Sequence, residues 1–330
     1  MRSFSFLGGL SLALVLGIGF SGCGGGGGGS SSGSTSGLSF PSNAVKAKPT
    51  LENGKKVKDV VATNQARESS GLISGLNSID TNSKLNTALF SSKISTIIFK
   101  HTKNINLQSY SLNEAVNQTY NCSGGGTISY NGNGDDINGG TITMVANNCS
   151  EYDVKMNGSV YATIGNYDSS ADDFKDYTIK YTTDFDVAIG NSVIKIFKNS
   201  YEAINITKFD EYGGIQDFKF SETLKATAGS ESYGVQDGIY YFKINNVNDL
   251  EMYQTSGKVY INNLASYVNC DTTYDMSKTP FVFSGYSGTL QSGEARYNMS
   301  GSGKVKIVVE SNEAKTYVDA DGDGTYELHE

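Results

Sequence analysis

The sequence has no tryptophan, three prolines, two histidines and four cysteines in 330 residues. Without tryptophan it lacks the preferred stacking platform of a sugar-binding groove. So few prolines rule out a proline-rich linker or ligand segment. The two histidines, His101 and His329, lie far apart, and no His/Cys set has zinc-ligand spacing. No Gly-x-Ser-x-Gly elbow stands between a strand and a helix, and the glycine runs lack a P-loop lysine. An excess of positive charge is also missing. With 26 Lys and Arg against 34 Asp and Glu, the net charge is −8. Such a body is a poor partner for polyanions, which argues against nucleic acid. The longest apolar run, residues 4–20, is rich in glycine and serine and shorter than the roughly 20 residues of a membrane span.

What the chain does have is 39 glycines, 21 tyrosines and 15 phenylalanines, with abundant Asn, Asp, Ser and Thr. Tyrosine with turn-forming residues favours short strands joined by tight turns. From about residue 113 the apolar period is two. Val116, Gln118, Tyr120 and Cys122 fall on one face, with Ser111-Leu-Asn-Glu114 as a competing helix-capping signal. Runs at 127–130, 141–146, 154–164, 176–189, 193–197, 201–209, 215–228, 233–247, 257–264, 279–284, 287–291, 304–310 and 315–319 follow, separated by turn signals. The 154–164 run is interrupted by Asn157-Gly158. The expected fold is mainly β: an antiparallel sandwich, barrel or large curved sheet, with a helical segment N-terminal to it.

The helical segment spans 38–110. A first helix is expected over about 51–69, with Val57, Val60 and Val61 on one face. A second is expected over about 82–103, where Phe90, Ile94, Ile97, Ile98 and His101 form an apolar stripe. On that stripe His101 reads as a packed residue and not as a ligand.

The N-terminus carries Arg2, the apolar run, and then Phe20-Ser21-Gly22-Cys23, followed by glycines and serines to Gly37. This resembles a bacterial lipoprotein signal, with small residues directly ahead of the cysteine that receives lipid. The resemblance implies a signal peptide over 1–22, cleavage before Cys23 and acylation of its thiol. The family pattern usually has leucine where this chain has Phe20. Gly24 stands where aspartate would favour inner-membrane retention, so the resemblance implies the outer membrane, with exposure to the periplasm or the cell surface. Residues 23–37 then form a flexible tether of about 20 Å root-mean-square span, and 111–330 the antiparallel β domain. Cys122 with the following glycines, Asn148-Cys149, and the stretch from Phe283 through Gly285-Tyr-Ser-Gly288-Thr-Leu are similar to uncharacterised outer-membrane lipoproteins with a lipobox and poly-glycine tether. Those motifs are loose and imply no chemistry.

Lipidation uses Cys23 and leaves Cys122, Cys149 and Cys270. The point midway between Cys122 and Cys149 falls at the Asn-Gly-Asn-Gly-Asp-Asp-Ile-Asn-Gly-Gly turn, so a hairpin folded there sets the two opposite each other. An oxidising envelope then favours a Cys122–Cys149 disulfide. Closing that loop stabilises by about 3–4 kcal/mol.

One motif carries metal chemistry. Asp319, Asp321 and Asp323 are followed by Gly324, Thr325, Glu327 and Glu330. Carboxylates at positions 1, 3 and 5, glycine at 6, a carbonyl at 7 and glutamate at 12 match an oxygen-ligand calcium loop. The flanks differ from an EF-hand, because residues 304–319 read as a strand hairpin. Asp-Gly-Asp-Gly is equally a plain hairpin turn. No motif requires a cofactor; calcium is the one ion the spacing admits.

The leading functional expectation is a non-enzymatic structural or ligand/partner-binding β module, held at the membrane by its N-terminal lipid. Its partner, whether protein, glycan or lipid, is not specified by the sequence. Two alternatives are a carrier of lipid or apolar ligand in a β cavity and a carboxylate-based glycan hydrolase. The latter would draw on the acids near Asp168, Asp172, Asp173 and Asp176, which read as a solvated loop.

Overall fold

A computed structural model of the chain describes residues 38–72, 116–135, 139–151, 154–171, 173–189, 192–209, 215–228, 230–244, 249–283, 290–310 and 313–329. The Cys23 signal, the tether, the second expected helix with His101, the Ser111–Glu114 signal and Glu330 lie outside the described residues. Within them the protein is mainly β, with a single α-helix that precedes every strand but one of two residues. The chain divides into two compact units.

The first unit is an antiparallel meander. β2 (Val116–Asn121), β3 (Thr127–Asp135), β4 (Gly139–Glu151) and β5 (Val154–Asp168) pair in chain order. β6 (Asp173–Tyr181) and β7 (Phe185–Ile189) both pair with β5, one after the other along its length. β8 (Ser192–Ile196) pairs with β7, and β9 (Tyr201–Phe209) with β6. The end of β10 (Ile215–Ala228) closes on β8. Alternation places Tyr130, Met144, Val160, Tyr177 and Ile179 on a buried face. Each such side chain contributes about 1.5–3 kcal/mol on full burial. The opposite face is polar, with Thr119 bonded to Ser129 and Thr163 to Thr178 across neighbouring strands.

One line of irregularities crosses this meander. The β4–β5 register shifts between Ala146 and Cys149. Residues 182–184 part β6 from β7, and residues 197–200 part β8 from β9. Asn157-Gly158 does not break its run into two strands; β5 is continuous through it, and the extra residue of the register shift lies opposite, at Asn147-Asn148 of β4. Gly158 has φ 139°, and a Cβ there would meet the Asp184 carbonyl oxygen at 2.6 Å and Phe185 Cα at 2.8 Å. Along this crease side chains supplement a few backbone bonds, such as those from the Thr182 amide to the Ser159 carbonyl and from the Asn199 amide to the Tyr181 carbonyl. The Asn148 amide donates to Asn157 Oδ1 at 3.2 Å, the Ser159 amide to Thr183 Oγ1 at 2.8 Å, and the Lys198 amide to Asp184 Oδ1 at 2.9 Å.

The second unit holds β1 (Val45–Lys46), α1 (Leu51–Leu72) as far as Ser69, residues 219–225 of β10, and the remaining strands. These are β11 (Glu231–Ile244), β12 (Leu250–Ile261), β13 (Ser266–Cys270), β14 (Phe281–Phe283), β15 (Leu290–Asn298), β16 (Lys304–Glu310), β17 (Glu313–Asp319) and β18 (Leu328–His329). Antiparallel pairing follows chain order except that β13 and β14 each pair with both β12 and β15, and β1 pairs with β13 in parallel.

The segment expected to be helical over 38–110 thus opens with a short strand, Val45–Lys46. Thr50 caps α1 by accepting the Asn53 amide at 3.3 Å. Of the expected face, Val57 and Val61 are buried on the helix and Val60 is half-buried. Gly54 allows the helix to lie close against β16 and β17: a Cβ there would sit 2.8 Å from Thr316 Cγ2 and 2.9 Å from Val318 Cγ2.

Candidate functional site

The candidate site is the loop joining β17 to β18. β17 ends at Asp319, which faces Lys304 of β16 across the ladder. The chain returns at Leu328, opposite Val318. The flank is thus a strand hairpin, as the sequence pattern indicates, and the strand resumes two residues after Tyr326. One carboxylate oxygen from each of Asp319, Asp321, Asp323 and Glu327 lies within 4.8 Å of the others. Asp319 is fully buried and the other three are exposed.

Backbone amides shape the loop. Asp319 accepts from the Gly322 amide at 2.6 Å through Oδ1 and from the Gly324 amide at 3.1 Å through Oδ2. Asp321 Oδ1 accepts from the Asp323 amide at 3.1 Å, and Asp323 Oδ1 from the Thr325 amide at 2.6 Å. The Ala320 amide donates to Glu327 Oε2 at 3.1 Å. Thr325 thus joins the loop through its N–H. Each carboxylate oxygen keeps lone-pair capacity beyond these bonds.

The donor set is all hard oxygen, with neither thiolate nor imidazole in it. It suits Ca²⁺, which takes six to eight oxygens at flexible geometry, better than a transition metal. Four gathered anions repel one another, and a divalent cation would offset that repulsion.

Aromatic and cationic side chains brace this loop. The Lys306 ammonium lies 4.5 Å from the Tyr326 ring centre and 4.9 Å from that of Tyr317. The Arg296 guanidinium stacks 3.8 Å over Tyr274 and pairs with Glu294 at 2.5 Å. Burial pushes the Tyr326 hydroxyl above its ordinary pKa. Arg296 pulls it down, while Asp319, Glu294 and Asp271 push it up. Arg296 and Lys306 belong to strands whose alternation reads only as an outward polar face, so no sequence signal marks these contacts.

The other sequence candidates sort differently. Cys122 and Cys149 are bridged, with Cα atoms 5.4 Å apart, and Cys270 is buried and unbridged. Burial first, and then neighbouring Asp271, raise the Cys270 thiol's pKa well above its ordinary value. Asp168 is spent on its own hairpin. It pairs with Lys175 at 2.6 Å and accepts from the Ser170 amide and hydroxyl, and these bonds hold its carboxyl below the usual range. Asp176 accepts from the Asn205 amide nitrogen, and Asp172 lies outside the described residues. Asp168 and Lys175, with Thr207, Lys208 and Phe209, line a polar cleft in which Asp168 is the one carboxylate among the described residues. No family model, curated protein or solved structure matches the chain.

Proposed function

We propose that the protein is an exported, lipid-anchored outer-membrane protein. Its β units form a non-enzymatic binding or structural module, and its C-terminal loop takes calcium. The anchoring half of this reading rests on Phe20-Ser-Gly-Cys23 and the Gly/Ser run after it. Two or more acyl chains give stable membrane attachment, and the tether then holds the units off the lipid surface.

The observation that carries the module's side is the gathering of Asp319, Asp321, Asp323 and Glu327 around one point. A bound Ca²⁺ would cross-link β17 to the return strand β18 and stiffen that corner of the second unit. Asp319 is positioned by its amide bonds, while Asp321, Asp323 and Glu327 reach in from the exposed side. Neither a catalytic acid pair nor a nucleophile with its base is part of this reading. A protein, glycan or lipid partner in the envelope is the class of ligand that fits an anchored, strand-built module.

Fractionation tests the anchoring. The wild-type chain is expected in the membrane pellet and to label with palmitate, and Cys23→Ser in the soluble envelope fraction. A Cys23→Ser protein that still pellets would end the lipid-anchor reading. Isothermal calorimetry of the purified chain tests the loop: calcium heat in the micromolar range is expected, and its loss in Asp321→Ala. The absence of any heat below millimolar calcium would leave the loop a plain turn.

A further inference from the structure

The crease across the first unit separates a part in which β5 and β6 pair over eight residues and β6 and β9 over five from a part with shorter ladders. On one side lie residues 160–168 of β5 with β6 and β9. On the other are residues 149–151 of β4, 154–157 of β5, β7, β8 and the end of β10. In that second part each ladder is only three to five residues long. Its buried side chains include Val154, Met156, Phe185, Val187, Ile194 and Ile196.

The outer border of this small panel is closed by the loop after β2. The Gly124 amide donates to the Ser150 carbonyl, and the Ser150 amide to the Gly125 carbonyl, each at 2.8 Å. The Ser123 hydroxyl and amide both donate to the buried Glu151 carboxylate, the hydroxyl at 2.6 Å. The Cys122–Cys149 bridge ties the same loop covalently to the panel's first residue.

Proteins open in cooperative units that part where regular pairing is interrupted, and one register shift in line with two strand breaks is such a place. We propose that this panel is a separately opening element and that the disulfide is its redox-sensitive lock. A dithiol reductant delivers two electrons and two protons; the S–S bond breaks to two thiols, and the reductant becomes a disulfide. Among the described residues, hydrogen bonds to Ser150 and Glu151 then hold the 122–126 loop to the panel. The panel opens and exposes Val154, Met156, Val187, Ile194 and Ile196, while the part built on β6 and β9 stays folded. In an oxidising envelope the panel stays shut.

Hydrogen exchange read by mass spectrometry on the full chain tests this, oxidised and in dithiothreitol. On reduction, peptides covering 149–157 and 185–196 are expected to exchange up to about 400-fold faster, the size that releasing a loop of this length implies. Peptides covering 160–181 and 201–209 are expected to keep their rates. The Cys122→Ser/Cys149→Ser double variant, measured without reductant, is expected to reproduce the pattern. Equal acceleration in all four regions, a double variant that does not fold, or no acceleration in the panel would each overturn the proposal.

Discussion

The Asp271 carboxylate, 1% exposed, lies 2.6 Å from the Lys304 ammonium. Asp271 also accepts from the Thr273 amide at 3.1 Å and from its hydroxyl. Burial alone would raise this carboxyl's pKa. The Lys304 and Thr273 bonds outweigh burial and hold it below the ordinary value. The pair fixes the start of the ten-residue excursion between β13 and β14, where Asp275 caps a 3-10 turn over Met276–Lys278 and Tyr274 supports Arg296.

The sign of the pH effect follows. Asp271 is more acidic folded than unfolded, so its contribution to stability is present above the unfolded value near pH 4. It is lost as pH falls through the lower folded value. Urea titrations from pH 6 to pH 2 should show this loss. Asp271→Asn should flatten the acid limb and cost about 2 kcal/mol at neutral pH. That is below the figure for a fully buried pair, because Lys304 is partly exposed. An unchanged acid limb in the variant would remove Asp271 as its source.

Gly158→Val should be among the costlier changes in the first unit. It puts a branched side chain at φ 139° and drives Cβ into the Asp184 carbonyl. A loss of about 3 kcal/mol or more is expected, read as a lowered thermal midpoint by circular dichroism. Gly165→Ala, where an added Cβ meets nothing within 4 Å, serves as the mild control.

Calcium should raise the thermal midpoint of the wild-type chain and leave Asp323→Asn nearly unmoved. At a calcium concentration 100 times the dissociation constant, the gain is about 2.7 kcal/mol. A chelator should reverse it. Equal shifts in both proteins would locate the ion elsewhere.

Tyr130 is fully buried, and its hydroxyl meets no hydrogen-bond partner among the described residues. Burial, with Tyr120 nearby, raises its pKa strongly. Tyr130→Phe keeps the ring and its edge contact with Tyr120 while removing a hydroxyl that is costly to bury. Chemical denaturation should show the variant more stable by about 1 kcal/mol; a clear loss would mean the hydroxyl is satisfied.

Much of this was legible in the residue order. Strand alternation, the turn between β3 and β4, the Cys122–Cys149 pairing and the strand context of the Asp-rich loop all follow from period, turn chemistry and symmetry. The first half of β12 did not, because Gln254 occupies a core position in the alternation of Leu250 and Met252. Its burial makes sense only once the Tyr297 hydroxyl donates to it from β15 at 2.8 Å. The β13 strand was hidden for a similar reason: Asn269 and Ser266 read as loop until their neighbours in β12 and β15 are known. The crease is a property of register, and register is set by partners far along the chain. The stacking of Lys306 on Tyr326 likewise joins residues whose spacing carries no signal.

The bridged cysteines belong to one contiguous run, β2 to β4, whereas Cys270 comes far downstream and ends up buried. Closing a short loop costs less entropy than closing a long one. On the proposed export route the bridged thiols therefore meet while Cys270 is still distant. Oxidative maturation then needs no reshuffling catalyst: the nearest pairing is the native one, and folding hides the remaining sulfur before it can compete.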